Sequence, residues 1–256
     1  MTFCLGMRVG EGLVGIADTR VTSGTEVITA RKVSVHEHGG RTFFLMTSGL
    51  RSVRDKALTY FEEILEASDA EFDKLYKAVN AFSKQLRRVA EEDKEALTQG
   101  SYCFDLHALI GGQLRHDKEH KLYLIYPQGN WVEIGAGTPY CIIGESGYGK
   151  PILDRTLKFT DSIRYALKVG CLAFDSTRIS AANVDFPIDV IIYEAHQHVI
   201  LEHRYEKKDL LEISNWWQER LRQSVIELPY QWQEAVLGPD LPQQDHTIRM
   251  PTGTKP

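Results

Sequence analysis

Paired cysteines are missing from this sequence. Cys4, Cys103, Cys141 and Cys171 stand singly, without C-x-x-C spacing, each in or beside an apolar run. That distribution excludes a disulfide framework and a cysteine-based zinc site, and reads as buried reduced thiols. Long apolar runs are missing too, since no stretch approaches the ~18 consecutive residues of a membrane helix. Residues 1–5 carry no basic charge ahead of an apolar segment, so no secretory leader is expected and the expected compartment is the cytoplasm. Excess positive charge is also lacking: 30 Lys and Arg face 35 Asp and Glu, for a net charge of -5. Neither nucleic acid nor a membrane surface is therefore an expected partner.

What is present is an ordinary globular balance, with 43% hydrophobic and 25% charged residues in 256. Short apolar runs at 2–9 and 12–18, separated by Gly10-Glu11-Gly12, predict a hairpin. Strands are expected at 31–36 and 42–47, with His38-Gly39-Gly40 as their turn. From 52 to 96 the apolar spacing becomes helical, and Ser68-Asp69 reads as an N-cap that divides two helices. Strands return at 104–111, 121–126, 131–135 and 140–143, followed by helices at 149–159 and 160–175. A second hairpin (189–193 and 199–205) and a last helix (209–223) carrying Trp216 and Trp217 follow. Hairpins without βαβ alternation favour antiparallel sheets covered by helices, an α+β fold. One domain is expected over 1–238, with a Pro-, Gln- and Thr-rich disordered tail at 239–256.

The second residue is a threonine. A small residue in that position permits removal of Met1, which would expose the Thr2 α-amine. Such an amine has a pKa of about 7.7–8.0, so part of it is neutral near pH 7 and can act as base for its own hydroxyl. The segments that follow are Gly12-Leu-Val-Gly-Ile-Ala-Asp18-Thr-Arg20, Arg31-Lys32-Val33 and Met46-Thr-Ser-Gly49. Together they resemble the β-type subunits of the proteasome, members of the N-terminal nucleophile hydrolases. Gly144-Glu-Ser-Gly-Tyr-Gly-Lys150-Pro-Ile-Leu-Asp154, with Asp175-Ser-Thr177 and Pro187-Ile-Asp189, is similar more closely to the Anbu family, the bacterial ancestral β-subunits.

The resemblance implies a four-layer αββα sandwich and a threonine-type peptidase or amidohydrolase, with no cofactor and no metal. It implies Thr2 as nucleophile and base, Lys32 as the charge that lowers the hydroxyl's proton affinity, and Asp18 as the holder of Lys32. Gly49 N–H would face the oxyanion, and Arg20 would brace the loop. Ser146, Asp175 and Ser176 would support the site, although Gly144-Glu145-Ser146 replaces a Gly-Ser-Gly and Arg178 stands where a serine is usual. A ring or helical homo-oligomer acting on peptides or unfolded chains is implied, with or without an unfoldase. The competing expectation is a catalytically weak or inactive assembly protein that keeps the fold as a scaffold.

Two other patterns are expected to be decoys. Gly144-x-x-x-x-Gly149-Lys150 matches most of a phosphate loop, but Pro151 stands where a metal-binding hydroxyl belongs. The histidines at 36 and 38, 116 and 120, and 196 and 198 lack further ligands at metal spacing, and solvated turn positions are expected for them. Trp216, Trp217, Tyr230 and Trp232 read either as docking of the last helix on its own core or as a subunit contact.

Overall fold

The computed structural model describes residues 2–23, 26–67 and 72–238. The chain divides into two compact units, one ending at Leu210 and one starting at Leu211. The first unit opens with the hairpin β1 (Phe3–Val9) and β2 (Gly12–Asp18). Both strands are buried along their whole length, so they read as continuous apolar runs rather than alternations. A small ribbon follows, β3 (Arg20–Ser23) with β4 (Glu26–Thr29). Its strands are only four residues each and give no strand pattern in the sequence. An antiparallel meander is formed by β5 (Val33–His38), β6 (Arg41–Gly49), β7 (Leu106–Gly112), β8 (Lys121–Ile125) and β9 (Trp131–Glu133). Helices α1 (Arg51–Glu66) and α2 (Leu75–Gln99) interrupt it. The cap expected at Ser68-Asp69 lies outside the described residues.

The remaining elements are β10 (Tyr140–Gly144), α3 (Lys150–Thr156), α4 (Ile163–Ser180), β11 (Ile188–Glu194) and β12 (Val199–Tyr205). They complete a second antiparallel sheet in the order β10-β1-β2-β11-β12. The helix expected from 160 starts at Ile163 instead, because Ser162 Oγ accepts the Tyr165 N–H at 3.2 Å.

Three apolar clusters place these elements. Leu5, Met7 and Ile16 pack with Leu153, Val169 and Phe174 of α3 and α4. Phe43 and Leu45 pack with Phe61 and Phe82 of α1 and α2, whose rings meet edge to face at 5.5 Å. Leu13, Phe44, Met46, Leu109 and Ile191 join the two sheets. Adjacent residues such as Phe43 and Phe44 thus serve opposite faces of one strand. The fold is α+β, with antiparallel sheets and six α-helices among the described residues.

The second unit takes most of α5 (Lys207–Ile226), a 3₁₀ turn at Gln231–Gln233 and the short α6 (Glu234–Leu237). Trp216 and Trp217 stack there at 6.5 Å. The tail expected at 239–256 lies outside the described residues.

Candidate active site

Antiparallel pairing of β1 with β2 sets Cys4 opposite Ala17, which brings Asp18 to the start of β1. One carboxylate oxygen, Asp18 Oδ1, accepts three hydrogen bonds there. Thr2 Oγ1 donates at 2.9 Å, Phe3 N–H at 2.8 Å and Lys32 Nζ at 2.6 Å. Lys32, in the lead-in to β5, also donates to the carbonyl of Arg20 at 2.6 Å. Thr2, Asp18 and Lys32 are 5%, 0% and 6% exposed. Burial raises the Asp18 pKa, while the Lys32 ammonium and the three donors oppose that rise. The Oδ2 atom of Asp18 is buried without a partner among the described residues. Lys32 therefore reaches the threonine hydroxyl through a shared oxygen of Asp18.

The surrounding segment is pinned from several sides. Thr19 donates its N–H and its hydroxyl to Pro187 O, at 3.0 and 2.7 Å, and its own carbonyl accepts the Ala30 N–H at 2.8 Å. The Arg20 guanidinium pairs with Asp185 at 3.2 Å, so this side chain braces the root of the β3–β4 ribbon. On the other side, Thr47 N–H donates to Lys32 O at 3.1 Å, and Thr47 O accepts from Cys4 Sγ at 3.6 Å. The end of β6 is thereby held against the start of β1.

Two glycines close the site. Gly49 has φ +144°, and a Cβ there would fall 2.1 Å from Asp105 O. Gly144 has φ +90°, and a Cβ there would fall 2.0 Å from Thr2 O and 3.0 Å from Ser48 Oγ. Only glycine fits either position without moving backbone. The next residue, Glu145, donates its N–H to Thr2 O at 2.7 Å.

The other expected residues sit further off. Ser146 O accepts the Lys150 N–H at 3.1 Å at the start of α3. Asp175 on α4 accepts from Arg178 at 2.7 Å, and Arg178 lies over the Phe186 ring at 5.4 Å. Ser176 is half-buried on the same helix. No hydrogen bond joins Asp175 or Ser176 to Thr2 among the described residues. Ser48 and Gly144 had no role assigned from sequence. The available signal was the alternation along β6, which sets Ser48 on the face of Phe44 and Met46.

Lys150 donates to Tyr140 Oη and to Asp154, each at 3.0 Å, on a helix of seven residues, so its charge is already engaged. The histidines are not uniformly solvated. His120 is buried with Nε2 2.7 Å from Val9 O, and His36 packs between Phe43 and Phe61. Burial lowers the pKa of both, that of His36 to about 4. Among the described residues no cluster of His, Cys, Asp and Glu could hold a metal ion. A cleft of about 470 Å³ beside Arg31 is lined by Asp189, Glu202 and Arg204. Its arginines are paired, Arg31 with Glu202 and Arg204 with Asp189 through two bonds of 2.7 and 2.9 Å. Among the described residues no helix is long and apolar enough to cross a membrane.

No family model and no curated protein matches this chain. Solved structures do. An Anbu variant from Hyphomicrobium sp. strain MC1 is 29% identical, with a TM-score of 0.82 over 90% of this chain and 98% of that one. Anbu (ancestral beta-subunit) from Yersinia bercovieri is 28% identical, with a TM-score of 0.82 over 89% and 98%. The helical assembly of the Anbu complex from Pseudomonas aeruginosa matches at 28%, with a TM-score of 0.83 over 89% and 97%. Fold and matches point to the proteasome-like fold family. Within that class the matches support an Anbu identification for the chain.

Proposed function

We propose that this protein is a threonine-type peptidase or amidohydrolase whose nucleophile is Thr2 once Met1 has been removed. The observation that carries this reading is the buried chain Thr2 Oγ1–Asp18 Oδ1–Lys32 Nζ, with links of 2.9 and 2.6 Å. A lysine sealed from water against one carboxylate is costly to build unless the pair serves a purpose at that spot. Its charge acts on the hydroxyl through the shared oxygen and favours the alkoxide-like state. The freed α-amine takes the hydroxyl proton, Thr2 Oγ attacks the amide carbonyl, and the acyl-enzyme is hydrolysed by water. Gly49 N–H is the oxyanion donor of this reading, a contribution worth about 3 kcal/mol in comparable sites.

The three-cluster packing supports the four-layer αββα arrangement of N-terminal nucleophile hydrolases, and the proposal takes residues 1–238 as the hydrolase domain. The free cysteines, including the exposed Cys103, agree with a reducing cytoplasm. Self-assembly is part of the proposal, because the Pseudomonas aeruginosa relative is described as a helical assembly. The substrate is then a peptide or unfolded chain that reaches an enclosed site.

Intact mass before and after treatment with a peptide epoxyketone tests the assignment. Loss of Met1 and a single adduct, abolished by Thr2→Ala, are expected. Retention of Met1 throughout the population sinks it, because an acylated Thr2 nitrogen cannot serve as base.

A further inference from the structure

Nucleophilic attack by Thr2 requires a proton to travel from its Oγ to its own α-amine. Direct transfer closes a small ring whose O–H···N angle falls well below the ~150° that hydrogen bonds prefer. In the structure, moreover, that hydroxyl donates to Asp18 at 2.9 Å. A second hydroxyl bridging the two atoms would remove the bend.

Ser48 is placed to be that hydroxyl. Alternation along β6 sets it on the face of Phe44 and Met46, which pack toward the sheet that carries Thr2. The position a Cβ of Gly144 would take lies 3.0 Å from Ser48 Oγ and 2.0 Å from Thr2 O. Measured from that one point, the serine hydroxyl lies within about 5 Å of the Thr2 carbonyl oxygen. Ser48 is 9% exposed, and its Oγ has no hydrogen-bond partner among the described residues. Neighbouring hydroxyls are committed or turned away. Thr19 donates to Pro187 O at 2.7 Å, and Thr47 shares the face of Phe43 and Leu45, toward α1 and α2. The rival is Ser146, one residue beyond the Glu145 N–H that binds Thr2 O at 2.7 Å.

We propose that Ser48 is a further catalytic residue, its hydroxyl relaying the proton between Thr2 Oγ and the Thr2 α-amine. This rests on the reading of Thr2 as the nucleophile. As the Oγ–carbon bond forms and the carbonyl π pair moves to oxygen, the Thr2 proton passes to Ser48 Oγ. The proton of Ser48 passes at the same time to the amine. On collapse the oxygen pair restores the C=O bond, the C–N bond breaks, and the ammonium returns its proton along the same path to the leaving nitrogen.

The test uses the full chain released with Thr2 as its first residue, as parent, Ser48→Ala and Ser146→Ala. One readout is the pH dependence of α-amine acylation by acetic anhydride, followed by mass of the N-terminal peptide. The other is the rate of epoxyketone labelling. Ser48→Ala is expected to shift the amine titration and to slow labelling by about 10²-fold, within the range for proton-transfer groups, and by more than Ser146→Ala does. An unshifted titration in Ser48→Ala, or a larger labelling loss in Ser146→Ala, overturns the assignment. If the parent is not labelled, the Thr2 reading has failed, and the amine titration alone still decides whether Ser48 touches the amine.

Discussion

At the scale of single residues, the site is governed by competition between burial and pairing. Burial is the largest influence on Asp18 and raises its pKa, so the stability tied to this group is fully present at low pH and is lost as pH rises through the folded value. Asp18 is therefore not a point of acid lability. Each member of the buried pair is tolerable only because the other is there. Asp18→Asn should cost about 3–5 kcal/mol by leaving the buried Lys32 ammonium without a counter-charge, and it should abolish epoxyketone labelling. Asp18→Asn combined with Lys32→Met should cost less than either substitution alone, measured by urea unfolding. Strict additivity would mean that the two charges do not depend on each other. Gly49→Ala drives a Cβ to 2.1 Å from Asp105 O, a backbone atom that cannot step aside. It should lower stability by about 1–3 kcal/mol and remove labelling, whereas labelling at parental rate would show that Gly49 does not face the reacting carbonyl.

At the scale of elements, β5 carries a titration with the opposite sign. His36 sits against Phe43 and Phe61, at ring distances of 5.4 and 5.7 Å, and burial lowers its pKa from 6.5 to about 4. Stability from the neutral ring is thus present above pH 6.5 and lost as pH falls through about 4, by no more than about 3 kcal/mol. His36→Phe should flatten the fall in urea midpoint between pH 7 and 4.5, and an unchanged slope would assign it to other groups such as His120. The same strand shows what the sequence could convey. Apolar spacing located α1, α2 and the paired strands, because each buries a face of its own. It could not convey that β10 pairs with β1 or that β11 pairs with β2, since those ladders join segments more than a hundred residues apart. The β3–β4 ribbon escaped because Arg20–Ser23 and Glu26–Thr29 have no apolar alternation. Thr2, Asp18 and Lys32 were legible only through their resemblance to a family. Lys32's route to the hydroxyl through Asp18 Oδ1, and the placement of Ser48 beside Gly144, follow from pairing that spacing does not encode.

At the scale of the whole molecule, chemistry and assembly can be separated. Thr2, Asp18, Lys32, Ser48 and Gly49 all belong to one chain and to the unit that ends at Leu210. The second unit leaves Trp216 55%, Val225 67% and Trp232 65% exposed, along with Leu221, Leu228 and Val236. Large apolar side chains gathered in so short a segment mark an association surface more often than a bare exterior. If self-assembly uses that surface, the parent should sediment well above 29.1 kDa, and Trp216→Ser with Val225→Ser should move it toward that mass. Polar replacement at positions already facing solvent has little core to disturb, so the thermal midpoint of the dissociated variant should stay close to the parent's at low protein concentration. Labelling of Thr2 in the dissociated variant is the decisive comparison. A rate near the parent's means that one chain holds a complete site and that assembly governs access to it. A rate that collapses on dissociation and returns at high protein concentration means that a neighbouring copy orders the reacting groups. A parent that sediments as a monomer removes assembly from the proposal and leaves the single-chain chemistry standing.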